Sequence, residues 1–217
     1  MRGFLICFTG VDGSGKTTHS RVLMKYLENK GYSCKYIWGG SRPILAYSFF
    51  GLTRLFGYWK MTRKDAYTDP LEAAPKNVAN RLTVLWRLLL FVDFQIRSLI
   101  TTRFWLSMSK SVICDRYFYD ILMELERADA SSSKFMWILA ETLPKPLVAF
   151  LLDVPETLAV QRRGFSKEEL VAKRRAFLQI GRALDLVIID ASQDFAKNHE
   201  RICSLTTQAL MEASMQP

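Results

Sequence analysis

A chain of 217 residues, 49% of them hydrophobic, can bury one sizeable core, which excludes a disordered polypeptide and a small disulfide-stapled module. The net charge of +9 points to polyanionic partners: nucleotide phosphates, nucleic acid or an anionic membrane surface. No uncharged apolar run reaches the roughly 18 residues that a spanning helix needs.

The first apolar run, 3–8 (GFLICF), leads straight into FTGVDGSGKTTHS. That stretch holds G-x-x-x-x-G-K-[ST] from Gly10 to Thr17, a pattern whose glycines let backbone N–H groups turn inward onto phosphate oxygens. Lys16 is placed to reach β and γ phosphates, and the Thr17 hydroxyl to ligate Mg2+. The candidate phosphate-binding residues are Gly10, Asp12, Gly13, Ser14, Gly15, Lys16, Thr17 and Thr18. A helix is predicted over 15–30, with Val22, Leu23, Tyr26 and Leu27 on one face and Gly31 as its stop. Its positive N-terminal end adds to the anion site.

A second strand is predicted at 33–38. The segment 44–61, ILAYSFFGLTRLFGYWKM, is dense in aromatics, with Arg54 and Lys60 its only charges. It reads as a helix over the acceptor site, as a homodimer interface, or as a membrane-surface helix. Leu82 to Met108 is apolar but interrupted by Arg87, Asp93, Arg97 and Arg103, so it reads as a buried helix, continuous or broken. The third strand, 111–115, ends in Asp115-Arg116-Tyr117. A carboxylate there can hold Mg2+ or orient a nucleophile, and the arginine fork suits bidentate phosphate contact; an exposed ion pair is the plainer alternative.

Helix 117–142, strand 146–152 and a broken helix 155–180 follow. The break lies at Arg162-Arg163-Gly164, and Ser166 with Glu169 forms a capping-box pattern for the second half. A glycine hinge flanked by arginines predicts a lid at about 161–175 that closes over a nucleotide; a solvated helix pair is the alternative. The last strand, 185–190, precedes a helix at 193–213. None of the five strand runs alternates cleanly, as expected of strands buried on both faces of a parallel sheet. Strand–helix alternation predicts a single α/β domain over 1–217, with ligands at the carboxyl ends of the strands. Cys7, Cys34, Cys114 and Cys203 are far apart without metal-ligand spacing, and the first apolar run is too short for a signal peptide, so a cytoplasmic protein is expected.

Together these residues resemble the thymidylate kinases, a branch of the P-loop nucleoside monophosphate kinases. FTGVDGSGKTT is similar to the family's phosphate loop, VICDRY to its DR[YFH] motif, LLDVPETLAVQRR to the approach to its lid, and VIIDAS to its last strand. The resemblance implies a five-stranded parallel sheet in order 2-3-1-4-5 with helices on both faces. It implies ATP with Mg2+ as donor and a monophosphate, dTMP, as acceptor, with Thr17 and Asp115 at the metal and Lys16, Asp115, Arg116, Arg162 and Arg163 as the catalytic set. Asp12 is implied at the acceptor, with Arg116 bridging the phosphates. Because Gly13 and Ser14 leave the loop without arginine, the chain is similar to members whose lid supplies the cation. The acceptor half departs from the family: WGGSRP keeps Arg42, LLFVDFQIR keeps Phe91 but puts Gln95 at an arginine position, and FYDILMEL replaces Ser and Tyr-Gln elements after Asp115-Arg116-Tyr117. The implied substrate contacts are Asp12, Arg42, Phe91, Gln95, Arg116 and Tyr117. A kinase of the same fold acting on a nucleoside or sugar phosphate remains open. So does a nucleotide-dependent nucleic-acid-binding protein, although the basic residues are dispersed and no RNA-binding signature is present, so no nucleic-acid partner is expected.

Overall fold

The computed structural model describes residues 3–39, 80–127, 141–155, 157–159 and 167–215. Five strands form one sheet: β1 (Leu5–Thr9), β2 (Cys34–Trp38), β3 (Ser111–Asp115), β4 (Val148–Asp153) and β5 (Val187–Asp190). Every pairing is parallel and the order is β2-β3-β1-β4-β5, as the resemblance implied. The central strands are apolar on both faces because both are covered: β1 and β3 are buried at every position. The stacked rings of Phe8 and Phe150 hold the centre, 5.3 Å apart. The edge strands β2 and β5 are only partly buried.

The described helices of more than one turn are α1 (Lys16–Asn29), α2 (Asn80–Ser107), α3 (Phe118–Arg127), α4 (Lys167–Ala183) and α5 (Phe195–Met215). They lie on both sides of the sheet, α1 packing with α5 and α3 with α4. The inner face of α1 is His19, Leu23 and Leu27, spaced one turn apart. Gly31, at φ 88°, takes the left-handed conformation that ends α1, and its N–H donates to the Glu28 carbonyl. α2 is continuous, which decides between the two readings of this segment; Phe94 and Ser98 are buried, whereas Ile96 and Ile100 are exposed. Residues 141 and 142, expected as the end of a helix, form a turn that leads toward β4.

Two compact units divide the chain. One comprises Met1–Gly39 with Thr101–Pro217 and carries the whole sheet. The other is Gly40–Ile100, described only where α2 begins. The aromatic segment 44–61 and the hinge 161–166 lie outside the described residues.

Parallel pairing brings all strand ends to one edge. Phe8 of β1 stands beside Asp115 of β3, and Asp153 of β4 beside Asp190 of β5. The loop after the central strand therefore opens between flanking carboxylates.

Candidate active site

The loop Gly10–Gly15 turns sharply off β1. Gly10, Gly13 and Gly15 all have positive φ, at 134°, 85° and 91°. At Gly10 a side chain is excluded twice over: the φ is hostile to L residues, and a Cβ would lie 2.5 Å from the Leu152 carbonyl oxygen. Gly15 is the N-cap of α1, and no capping side chain competes with an anion for the N–H groups at the helix start. Lys16 is 6% exposed and folds back over the loop, donating to the Gly10 and Val11 carbonyls, both at 2.8 Å. Burial and the nearby Arg116 lower its pKa to about 8. These are the contacts that a lysine makes in place of phosphate oxygens.

Next to Lys16, the Thr17 hydroxyl donates to Asp115 Oδ2 at 2.5 Å, and the Tyr36 hydroxyl donates to the same oxygen at 2.8 Å. Burial, with the bond to Asp115, raises the Tyr36 phenol to about 12. Asp115 is 1% exposed, yet its Oδ1 has no hydrogen-bond partner. A buried carboxylate oxygen left unpaired is costly, and a bound cation beside a hydroxyl ligand removes that cost. Among the described residues no three His, Cys, Asp or Glu side chains converge on a metal position. The arrangement therefore fits a hard ion that takes one hydroxyl and one carboxylate from the protein and the rest of its oxygens from a ligand.

Arg116 follows Asp115 with φ 73°, rare for a residue with a side chain. Its backbone N–H donates to the Phe8 carbonyl at 2.9 Å. The guanidinium is shared: Nη2 bonds Asp12 Oδ1, and Nη1 bonds Asp120 Oδ1 at 3.2 Å. Burial would raise Asp12, but Arg116 and Lys16 hold its carboxyl below the ordinary value. Burial wins at Asp120, whose pKa is raised despite Arg116, Lys16 and the Thr9 hydroxyl. Asp12, Asp115 and Asp120 thus face Lys16 and Arg116, leaving one negative charge in excess, as suits a site that receives phosphates together with a divalent cation. At the neighbouring strand ends, Arg174 of α4 makes a two-pronged bond to Asp153, at 2.6 and 2.8 Å, and Asp190 is occupied by Ser192 and Gln193 in its own turn.

No family model matches the chain. Among curated proteins it is 26% identical over 224 residues to a protein named "Probable thymidylate kinase" from Pyrococcus abyssi, covering 97% of this chain and 99% of that one. It is 27% identical to another of the same name from Sulfurisphaera tokodaii, covering 92% and 96%. The fold superposes on the thymidylate kinase of Candida albicans with a TM-score of 0.66 at 16% identity, over 96% of this chain and 93% of that one. In sequence and in fold the chain is similar to thymidylate kinases.

The residues of the phosphate-loop pattern and of the Asp115-Arg116 pair come together at the carboxyl edge of the sheet. The loop, Lys16, Thr17, Asp115 and Arg116 converge, with Asp12 bound to Arg116. Tyr117 does not present itself to a substrate: it is 1% exposed, and its hydroxyl donates to the Pro144 carbonyl at 2.9 Å, so it packs the core. Phe91 and Gln95 lie one turn apart on α2, but their side chains are outside what is described. Arg42, Arg162 and Arg163 also lie outside the described residues. Of the basic cluster Lys173-Arg174-Arg175, Lys173 pairs with Glu169 at 3.0 Å and Arg174 with Asp153, so two of its three charges already have carboxylate partners. Sequence reasoning passed over Tyr36, Thr9 and Asp120. The i, i+4 spacing of Asp120 from Arg116 at a helix start was a usable signal; Tyr36 and Thr9 carried none.

Proposed function

We propose that the chain transfers the γ-phosphoryl group of ATP to dTMP, giving dTDP. One observation carries this reading. At the carboxyl edge of a parallel sheet, a phosphate loop, the Thr17–Asp115 pair with its unpartnered Oδ1, and Arg116 come together. The named relatives supply the acceptor.

In the reaction an oxygen of the acceptor phosphate attacks the γ-phosphorus, and the bond from γ-phosphorus to the bridging oxygen breaks toward ADP. The charge spreads over the transferring oxygens, so catalysis is mainly positioning and charge stabilisation. The loop N–H groups and the N-terminal end of α1 hold the donor phosphates. Lys16 leaves the Gly10 and Val11 carbonyls for the β and γ oxygens. Thr17 and Asp115 would hold Mg2+, which when bound neutralises phosphate charge. Arg116 exchanges Asp12 for phosphate oxygens, and Asp12 turns to the acceptor. Arg162 and Arg163 complete the charge from a lid at about 161–175, while Arg42, Phe91 and Gln95 form the acceptor contacts. Asp12 shares in both halves. The protein works as a single catalytic domain over 1–217, in the cytoplasm, as a homodimer.

The test is ADP release from ATP and Mg2+ across dTMP, dUMP, dCMP, dAMP, nucleosides and sugar phosphates. dTMP gives the highest kcat/KM if the proposal holds. A purine monophosphate, a nucleoside or a sugar phosphate as best acceptor removes the thymidylate assignment and leaves a kinase of the same fold. No acceptor-dependent release at all removes the enzyme.

A further inference from the structure

Asp120 is a buried carboxylate in a place where the thymidylate kinase pattern has no acid, inside the FYDILMEL departure. It is 8% exposed, and its contacts among the described residues tie the turn that carries Arg116 to β1. Oδ1 takes the Arg116 guanidinium at 3.2 Å. Oδ2 takes the Thr9 hydroxyl at 2.9 Å and the Tyr117 backbone N–H at 3.3 Å. Thr9 is the last residue of β1, fully buried, and it pins Asp120 from the strand that launches the phosphate loop. The Arg116 backbone is equally constrained: its φ is 73°, its N–H is bound to Phe8, and its carbonyl oxygen would lie 2.0 Å from a Cβ at Gly39. A residue held off the ordinary backbone regions persists only where its surroundings fix it, and such strain concentrates at working sites.

The two carboxylates on Arg116 are not alike. Asp12 sits in the phosphate loop, 28% exposed, where an incoming phosphate competes for the same guanidinium nitrogen. Asp120 lies behind, tied to β1 and to the backbone of its own turn. Displacing Asp12 leaves the Nη1 bond to Asp120 in place.

We infer that Asp120 is a positioning residue: it keeps the Arg116 guanidinium aimed at the transferring phosphoryl group after Asp12 has given way to phosphate. The inference rests on the kinase reading above. Without Asp120 the arginine keeps its charge but loses its tie to β1 and to the turn, and a misplacement of about 1 Å at a reacting centre can cost about a hundredfold in rate. Removing a negative charge beside Arg116 favours binding of a polyanion. Ground-state binding and turnover therefore move in opposite directions, which mere loss of structure does not produce.

The charged and titratable groups that face Asp120 are Arg116, Lys16 of α1 and the Cys7 thiol of β1; Asp12 lies beyond Arg116, and Lys173 of α4 acts on Asp12. Because burial raises the Asp120 carboxyl, acid protonates it above the usual aspartate range and loosens its hold on Arg116. Turnover should fall on that acid limb. The Thr9 hydroxyl holds the carboxyl down, so removing it moves the limb to higher pH.

The test uses the full chain with Asp120→Asn and Thr9→Val. kcat and KM are measured with ATP, Mg2+ and dTMP across pH, and tripolyphosphate affinity by calorimetry. Asp120→Asn should lower kcat at least about tenfold, bind tripolyphosphate as tightly as wild type or a few-fold tighter, and lack the acid limb. Thr9→Val, which keeps every charge, should lower kcat by a few-fold and shift the limb upward. Unchanged kcat and limb in both variants overturn the inference. So does loss of kcat and of tripolyphosphate binding together in Thr9→Val, which marks a structural role only. If wild type turns over and the variants match it, the inference alone fails. If wild type transfers nothing to any acceptor, the kinase reading fails and takes the inference with it.

Discussion

His19 makes stability depend on pH in a way that can be worked out. It lies one turn into α1, 3% exposed, its ring stacked on Phe195 at 4.3 Å and 6.1 Å from the ring of His199. Its Nδ1 is buried without a partner, and a Cβ at Gly15 would lie 3.6 Å from its ring. Burial, and to a lesser degree His199, lower its pKa from 6.5 to about 4. The folded protein thus resists protonating it while the unfolded chain does not. The stability it contributes is complete above the unfolded value and is lost as pH falls through the folded one. Linkage puts that loss at about 2 kcal/mol between about pH 7 and about pH 5, and about 3 kcal/mol in full. His19→Phe keeps the stack on Phe195 and cannot titrate. Urea unfolding followed by far-UV circular dichroism at the two pH values measures the difference. Every other titrating group is common to both proteins, so the wild type should lose about 2 kcal/mol more than the variant. Equal losses would refute the argument and mean that His19 protonates freely in the folded state.

Three further outcomes follow from the same geometry. Gly10→Ala forces a Cβ to 2.5 Å from the Leu152 carbonyl oxygen at φ 134°, and should cost roughly 3 kcal/mol in chemical denaturation and abolish turnover. Lys16→Ala should lower kcat by about a hundredfold or more while leaving the circular dichroism spectrum unchanged. Asp115→Asn should raise the Mg2+ concentration for half-maximal rate by about tenfold, read from a Mg2+ titration at saturating ATP, because it removes the charge that Thr17 and Tyr36 now share.

The phosphate-loop pattern was legible because its determinants are local. Gly10, Gly13, Gly15, Lys16 and Thr17 are adjacent, and the apolar run before them can only be a strand. Asp115 and Arg116 could be placed beside that loop because one ends and the other follows a buried strand, and strands buried on both faces are typical of parallel sheets. Strand limits were less legible. β1, β4 and β5 begin two residues later than the apolar runs suggest, since pairing with a neighbour, not apolarity, decides where a ladder starts. Tyr36 and Thr9 could not be found because their partners lie 79 and 111 residues away in sequence. Tyr117 was misjudged for the converse reason: it adjoins Arg116, but the turn into α3 sends its ring into the core. The pairing of Arg174 with Asp153 depends on the packing of α4 on the sheet, which no spacing rule encodes.

Phosphoryl transfer can be watched on the transferred phosphorus itself. Purified protein is mixed with ATP, Mg2+ and dTMP, and the reaction is followed by phosphorus NMR. The β-phosphorus resonance of dTDP should grow in equal measure with that of ADP while the γ-phosphorus of ATP disappears, and neither should grow with Lys16→Ala over the same interval. Inorganic phosphate as the only product would make the chain an ATPase, and an unchanged ATP spectrum in the presence of dTMP would contradict the account.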